Sequence, residues 1–252
     1  MSFDVAADAY SRFMGIYSEP LAVRFVELLD LQQGQRALDV GCGPGVLTAQ
    51  LASRLGAAQV VAIDPSTPFV AATRDRVPEV AVHEGSAEEL PFPDDDFDLA
   101  LAQLVVHFMS DPVAGLAEMA RVTAPGGLVG ASVWDHAGNR GPLTTFWSAA
   151  RDVDPQAPDE SGLPGTREGH LARLFARAGL SDLESGSITV TVGFDSFDQW
   201  WEPYTMGVGP AGSYVAGLDD RGRASLERAC RARLPQSPFQ VDATAWTVMA
   251  RT

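Results

Sequence analysis

The chain separates into short apolar runs and amphipathic stretches that follow one another in regular order. Leu21, Phe25, Leu28 and Leu29 share one face of a helix that opens near Pro20, a residue suited to a first turn because its missing N–H is not needed there. Apolar strands are predicted near Ala37, Val60, Val80, Phe97 and Leu128, with helices near Leu47, Phe69 and Val113 between them. The helix from Pro112 stops before Pro125, and Gly126 and Gly127 turn the chain into the fifth strand. His170 to Ala178 reads as a further helix with Leu171, Leu174 and Phe175 inward and Gly179 as its cap; Ser187 to Phe194 and Asp242 to Ala250 read as the last two strands. Alternation of this kind implies an α/β, doubly wound parallel sheet with helices on both faces.

Two stretches break the rhythm. Residues 135–169 are rich in Gly and Pro and carry Phe146 and Trp147; residues 196–233 open with SFDQWWEPYTMGVGP. Insertions of this length in compact domains are usually functional loops or lids. Phe197, Trp200, Trp201, Tyr204 and Met206 bring too much apolar surface to stand in water, so they either glue a helix to the sheet or line a pocket, and both roles stay open.

The most specific stretch is ALDVGCGPGVLTAQLA, Ala37 to Ala52, where Gly41, Gly43 and Gly45 stand between a short strand and the helical spacing of Leu47, Leu51 and Leu55. Such glycines let the backbone take positive φ and let a ligand lie against main-chain atoms with no Cβ between. A dinucleotide loop needs its third glycine at position 46, where Val46 stands. Asp39 would repel a pyrophosphate, and Pro44 lacks an N–H that an anion site would use. The ligand expected beside Asp39 therefore presents a cation and no phosphate, as S-adenosylmethionine does with its ammonium and sulfonium. About twenty residues on, VVAIDPS closes a second apolar strand and puts Asp64 at the sheet edge, where a carboxylate accepts both hydroxyls of a ribose.

The strand, DVGCGPG and Asp64, followed by EGSAEELPFPDDDFDLALAQLVVHFMSDP and TAPGG, resemble in order the landmarks of the class I S-adenosylmethionine-dependent methyltransferases of the small-molecule, UbiE-like type, over roughly Tyr10 to Trp134. The resemblance implies a seven-stranded sheet, mostly parallel with an antiparallel C-terminal strand, and a small lid from the insertions. It implies that Gly41 and Gly43 back the methionyl part of the cofactor, that Asp39 faces its ammonium, and that Asp64 holds the ribose. Pro65 would pack on the adenine, Ser86 and Ala87 would border its edge, and Gln103 would meet the methionyl end. The family often has an acid where Ser86 stands, so the adenine amino group is left to the Ala87 backbone or to Glu88. Tyr10, Phe13, Met14 and Tyr17 resemble an N-terminal cap folded over the cofactor.

With 252 residues and 46% hydrophobic content the chain can bury a full core as one domain. Within it the expected parts are a cap (1–19), a cofactor-binding core (20–134) and the insertions 135–169 and 196–233 as a substrate lid. Eighteen basic residues, all arginine, against 33 acidic ones give a net charge of −15, which repels a polyanion and argues against nucleic acid as substrate. Gln103, Leu104, Val105 and Val106 stand where amino-directed members of the superfamily carry Asn or Asp, two prolines and an aromatic, which argues against methylation of base amines or glutamine side chains. Cys42 and Cys230 make no disulfide framework, four dispersed histidines predict no metal, and Asp94 to Asp96 read as a solvated loop. An N-terminus with Asp4 and Asp8 has no signal-peptide character, and no apolar run spans a bilayer, so a cytoplasmic protein without membrane insertion is expected.

Methyl transfer from a sulfonium is an in-line displacement in which positioning alone can supply about 7–11 kcal/mol. A hydroxyl acceptor would gain roughly a hundredfold more from a base. His107, just past the fourth strand, is the candidate base, although in LVVHFM it also reads as a wall residue; His136 is a weaker second. Substrate contacts are expected from Phe13, Tyr17, His107, Trp134, Trp200, Trp201 and Tyr204. The function predicted is methyl transfer to an uncharged or cationic small organic acceptor. The alternatives are an NAD-dependent oxidoreductase and a non-catalytic S-adenosylmethionine-binding regulatory protein.

Overall fold

A computed structural model describes residues 7–252; residues 1–6 of the expected cap lie outside the described residues. Helix α1 (Ala7–Tyr10) runs through a π-turn (Ser11–Gly15) into α2 (Ile16–Glu27). Pro20 therefore falls inside α2 instead of opening it. Phe13, Met14, Tyr17, Leu21 and Phe25 are all buried, and that continuous apolar stripe carries the helix across the proline.

The alternating half follows with β1 (Ala37–Val40), α3 (Val46–Leu55), β2 (Val60–Asp64), α4 (Thr67–Arg76), β3 (Ala81–Glu84), β4 (Phe97–Gln103), α5 (Pro112–Val122) and β5 (Thr123–Trp134). The turn expected at Gly126 and Gly127 is absorbed into β5: Thr123 already pairs with Phe97, the register shifts, and pairing resumes at Leu128 opposite Leu99. Gly127 permits this, because a Cβ there would sit 2.7 Å from the Asp98 carbonyl oxygen. The second half comprises α6 (Thr144–Val153), α7 (His170–Arg177), β6 (Glu184–Phe194), α8 (Phe197–Trp201), α9 (Gly209–Ala216), α10 (Asp220–Arg233) and β7 (Phe239–Arg251).

The seven strands form one sheet in the order β3-β2-β1-β4-β5-β7-β6. Strands β1 to β5 are parallel, and β7 runs antiparallel between β5 and β6. On one face α5 and α7 pack Leu116, Met119, Leu174 and Phe175 against Leu38, Val40 and Ala131. On the other, Leu21, Phe25 and Leu51 of α2 and α3 cover Leu99 and Leu101, and the insertion helices extend the same core. Those helices also hold each other: α6 packs on α10, and Phe146 stacks on Tyr204 with centroids 4.5 Å apart. Chain order reverses between β1 and β4, so the crevice of an open α/β sheet falls at their carboxyl ends.

Candidate active site

A cleft of about 770 Å³ occupies that crevice. Its floor is the loop from β1 to α3, in which Gly41, Gly43 and Gly45 have φ of +69°, +52° and +80°. A Cβ at Gly41 would stand 2.5 Å from the methyls of Val105, and one at Gly45 3.0 Å from Thr73, whereas the Cβ direction at Gly43 meets nothing within 4 Å. Two of the three glycines thus let the loop fold, and Gly43 leaves bare backbone facing the cleft.

The loop spends its own donors internally. The N–H groups of Gly41 and Cys42 donate to the Ile63 carbonyl (2.7 and 3.0 Å), Gly43 N–H to Asp64 Oδ2 (2.8 Å) and Gly45 N–H to the Cys42 carbonyl (2.9 Å). Pro44 has none to give. Asp39 is fully buried, and its carboxylate accepts the Thr48 hydroxyl (2.6 Å) from the first turn of α3, so the positive end of that helix already faces a carboxylate. The loop N–H groups of Gly41, Cys42, Gly43 and Gly45 are thus spent on protein acceptors, and a carboxylate stands where a pyrophosphate would approach. Burial pushes the Asp39 carboxyl up to about 7; the Thr48 hydrogen bond opposes the rise and the Asp64 charge adds to it.

Asp64 ends β2 with both oxygens anchored, accepting Ser66 N–H on Oδ1 (2.9 Å) and Gly43 N–H on Oδ2 (2.8 Å). Burial raises its pKa against those two bonds. Each oxygen keeps a second lone pair, so the carboxylate can still accept a diol. Pro65 and Ala87 line the cleft as expected. Ser86 also lines it, but its hydroxyl donates to Glu88, and Glu88 Oε1 accepts Ser110 N–H (2.7 Å). Burial works to raise the Glu88 pKa, yet the Ser86 hydroxyl and backbone N–H groups outweigh it and hold the carboxyl below the usual range. A carboxylate is therefore present at this edge of the cleft, two residues beyond Ser86.

Gln103 and His107 close the other end. Gln103 Nε2 donates to the Ser18 carbonyl of α2 (3.1 Å), and its Oε1 has no partner among the described residues. His107 is buried, its Nδ1 is likewise unpartnered, and His136 lies 6.2 Å away between ring centroids. Burial, aided by His136, holds the His107 pKa well below its ordinary value, and burial lowers His136 to about 4, so both rings are neutral near pH 7. A buried polar atom left unpaired costs roughly 1–3 kcal/mol, which makes these two atoms at the cleft conspicuous.

Of the seven side chains expected at the substrate, His107 lines the cleft; Phe13, Tyr17, Trp134, Trp200, Trp201 and Tyr204 are not among its lining residues. They are buried in the core, where Phe13 meets Tyr204 edge-on at 5.0 Å and Trp200 lies 4.7 Å from Tyr204. The sequence could not say which aromatic faces would meet each other. It also missed Leu104, which takes φ +61° to turn Val105 against Gly41, and Leu163 and Pro164, which reach the cleft from the first insertion. No glycine marks the first, and a loop's landing point leaves no local pattern. Tyr10, read only as cap, lines the cleft edge-on to Phe69 at 5.2 Å.

Residues 38–130 match the family model described as a methyltransferase domain. A demethylmenaquinone methyltransferase of Beutenbergia cavernae is 40% identical over 102 residues, covering 40% of this chain and 42% of the relative. Among solved structures, an S-adenosylmethionine-dependent methyltransferase of Thermotoga maritima, described as a possible histamine N-methyltransferase, superimposes with a TM-score of 0.59 at 17% identity, covering 97% of this chain and 96% of that one. A Haemonchus contortus phosphoethanolamine N-methyltransferase holding S-adenosylhomocysteine gives 0.59 at 17% identity, covering all of this chain and 60% of its own. The matches span 34% to 52% of the length of the curated relatives. Residues 38–130 thus carry a methyltransferase domain, and the chain over nearly its whole length has the fold of solved S-adenosylmethionine-dependent methyltransferases.

Proposed function

We propose that the protein transfers a methyl group from S-adenosylmethionine to a small, uncharged or cationic organic acceptor. The observation that carries this reading is the loop from β1 to α3: its N–H groups are all committed, and a carboxylate faces the helix end above it. Such a site suits a nucleoside bearing an ammonium and a sulfonium and meets a diphosphate with a carboxylate in place of the loop's N–H groups, which disfavours the NAD-dependent oxidoreductase. Asp39, Asp64 and Glu88 line the cleft with no arginine among the lining residues, so an anionic acceptor is repelled as well.

In this reading Asp39 faces the ammonium, Gly41 and the open backbone of Gly43 support the methionyl chain, and Asp64 accepts the ribose hydroxyls. Pro65 packs on the adenine face, while Ala87 and the Ser86–Glu88 pair border its edge. Gln103 fixes the methionyl end. When bound, S-adenosylmethionine supplies a methyl carbon already activated by a positive sulfur. The chain's own work is then to hold the acceptor in line and dry, and His107, neutral with an unpartnered Nδ1, takes the proton of a hydroxyl acceptor. Tyr10 and the segment bearing Leu163 and Pro164 cover the cleft.

No nucleic-acid substrate is proposed for a chain of net charge −15, and among the described residues no helix is long and apolar enough to cross a membrane. Thermal shifts with S-adenosylmethionine, S-adenosylhomocysteine and NAD, followed by transfer of labelled methyl groups into a pooled metabolite extract, test the reading. Stabilisation by NAD alone rejects it; binding without transfer to any pool favours a non-catalytic regulatory subunit.

A further inference from the structure

The first insertion delivers two side chains to the cleft, Leu163 and Pro164, and the turn that carries them is pinned at both ends. At its root Glu160 accepts the Trp147 indole N–H (2.9 Å), and the Leu163 N–H donates to the Glu160 carbonyl (3.2 Å). Thr166 ends the turn fully buried: its hydroxyl donates to the Leu163 carbonyl (2.8 Å) and lies 3.0 Å from that of Ser161, while its own carbonyl accepts the Ala137 N–H (3.2 Å). Gly165, at φ +79°, brings the backbone against Val133 of β5, where a Cβ would stand 3.3 Å from a methyl. These contacts fix which end of the cleft the turn walls. Ala137 follows His136, whose ring lies 6.2 Å from that of His107, so Leu163 and Pro164 enter on the His107 side. That side is uncharged. The charged residues lining the cleft are Asp39, Asp64 and Glu88, on the glycine loop, the end of β2 and the edge beyond β3. Glu160 is spent on Trp147 and is not among the lining residues. What remains beside the turn is the neutral His107 ring with its unpartnered Nδ1, and Phe108 with its ring centroid 3.9 Å away.

We propose that Leu163 and Pro164 form the acceptor-selecting wall of this cleft, and that the acceptor is an uncharged molecule presenting a hydroxyl on an apolar body. The inference rests on the reading of the cleft as the S-adenosylmethionine site, which commits the three acids to the cofactor. An ammonium on the acceptor would then leave water for a wall with no charge to pair it, and a carboxylate would meet the cleft's acids as well. The apolar body packs on Leu163 and Pro164, and the hydroxyl points to the polar atom that lacks a partner, His107 Nδ1. In transfer, the hydroxyl oxygen forms its bond to the methyl carbon, the carbon–sulfur pair stays on sulfur, and the hydroxyl proton passes to the His107 ring. Thr166 touches neither partner and is a positioning residue: its hydroxyl holds the turn in place before the acceptor arrives, so little ordering remains to be done on binding.

The test titrates the full chain, saturated with S-adenosylhomocysteine, with para-propylphenol, tyramine and phloretate, phenols whose tails are neutral, cationic and anionic, and reads binding by calorimetry. The expected result is binding of para-propylphenol, with the cation and the anion each roughly tenfold or more weaker. Leu163→Asp sets a carboxylate on the wall and should reverse the order, tyramine then binding more tightly than para-propylphenol, with S-adenosylhomocysteine affinity unchanged. Thr166→Val loses the hydroxyl that holds the turn and should weaken para-propylphenol roughly tenfold, again with S-adenosylhomocysteine unaffected, whereas Thr166→Ser should bind as the wild type does. No binding of para-propylphenol, a charged phenol binding as tightly in the wild type, an unaltered order in Leu163→Asp, or equal binding by the two Thr166 variants overturns the proposal. Should Leu163→Asp fail to fold, Pro164→Asp and the wild-type order decide it. Failure of the wild type to bind S-adenosylhomocysteine overturns the cofactor reading instead, and that titration is read separately.

Discussion

Gly41 and Gly43 both adopt left-handed backbone, yet their surroundings differ: one faces the Val105 methyls at 2.5 Å from a would-be Cβ, the other faces open cleft. Alanine at either position carries a backbone penalty of about 1–2 kcal/mol. Gly41→Ala adds a clash and should lose a further 1–3 kcal/mol or so, partly recovered in combination with Val105→Ala; additive midpoints in a double-mutant cycle would refute the contact. Gly43→Ala should cost only the backbone penalty in stability but weaken S-adenosylhomocysteine more than roughly tenfold, measured by calorimetry, because its methyl enters the ligand's space. The pH profile tests Asp39. With its carboxyl pushed up to about 7, the ionised form that attracts an ammonium predominates only above that pH. Affinity for S-adenosylhomocysteine should therefore rise as pH climbs from 5.5 through 7 and level off near 8, by at most about tenfold per unit; a flat profile would separate Asp39 from the ammonium. Asp39, the glycines and Asp64 were legible because their chemistry depends on immediate neighbours. The choice between Glu88 and the Ala87 backbone stayed open, since only the fold brings the Glu88 carboxylate onto the N–H of Ser110.

The element scale shows how local signals and sheet position combine. Asp111 caps α5, accepting Val113 N–H (3.0 Å) and Ala114 N–H (3.1 Å), ahead of a proline in the first turn. Asp111→Ala should cost about 1 kcal/mol and lower the melting midpoint by about 2–4 °C, read by circular dichroism; an unchanged midpoint would mean the cap contributes nothing. The terminal hairpin carries its own clue: β6, ESGSITVTVGF, is buried at alternate positions near its end, whereas β7 holds Ala245, Trp246, Val248 and Ala250 with apolar groups on both faces. A strand apolar on both faces belongs inside a sheet and one apolar on a single face can stand at its edge, which is the order observed. Pro20 misled because proline marks a helix start only where no earlier apolar stripe continues the helix.

Across the whole molecule, three buried carboxyls among the described residues, Asp39, Asp64 and Glu160, have raised pKa values and oppose folding as they ionise. Glu160, buried within the first insertion, accepts the Trp147 indole N–H (2.9 Å) and has no cation partner among the described residues; burial pushes it up to about 7, the indole bond opposes this, and Asp159 adds to it. A folded-state pKa above the unfolded value means the native state binds the extra proton between about pH 4.5 and 7, so stability falls as pH rises through that window and stays reduced above it. Glu160→Gln keeps an acceptor for Trp147 and removes the charge. Its midpoint should match wild type near pH 5 and exceed it at pH 8, by roughly 1–3 kcal/mol of stability; a loss at pH 8 would show the carboxylate to be stabilising. What the sequence by itself determined was the strand and helix order, the glycine loop and the acid at the end of β2, because each follows from residue type and spacing along a few turns of chain. Only the tertiary structure decided that most of the expected substrate aromatics are core and that the Glu88 carboxylate is held by the N–H of Ser110 at the cleft wall. Those outcomes depend on which faces of distant segments meet, and hydrophobic burial chooses that with no regard for order along the chain.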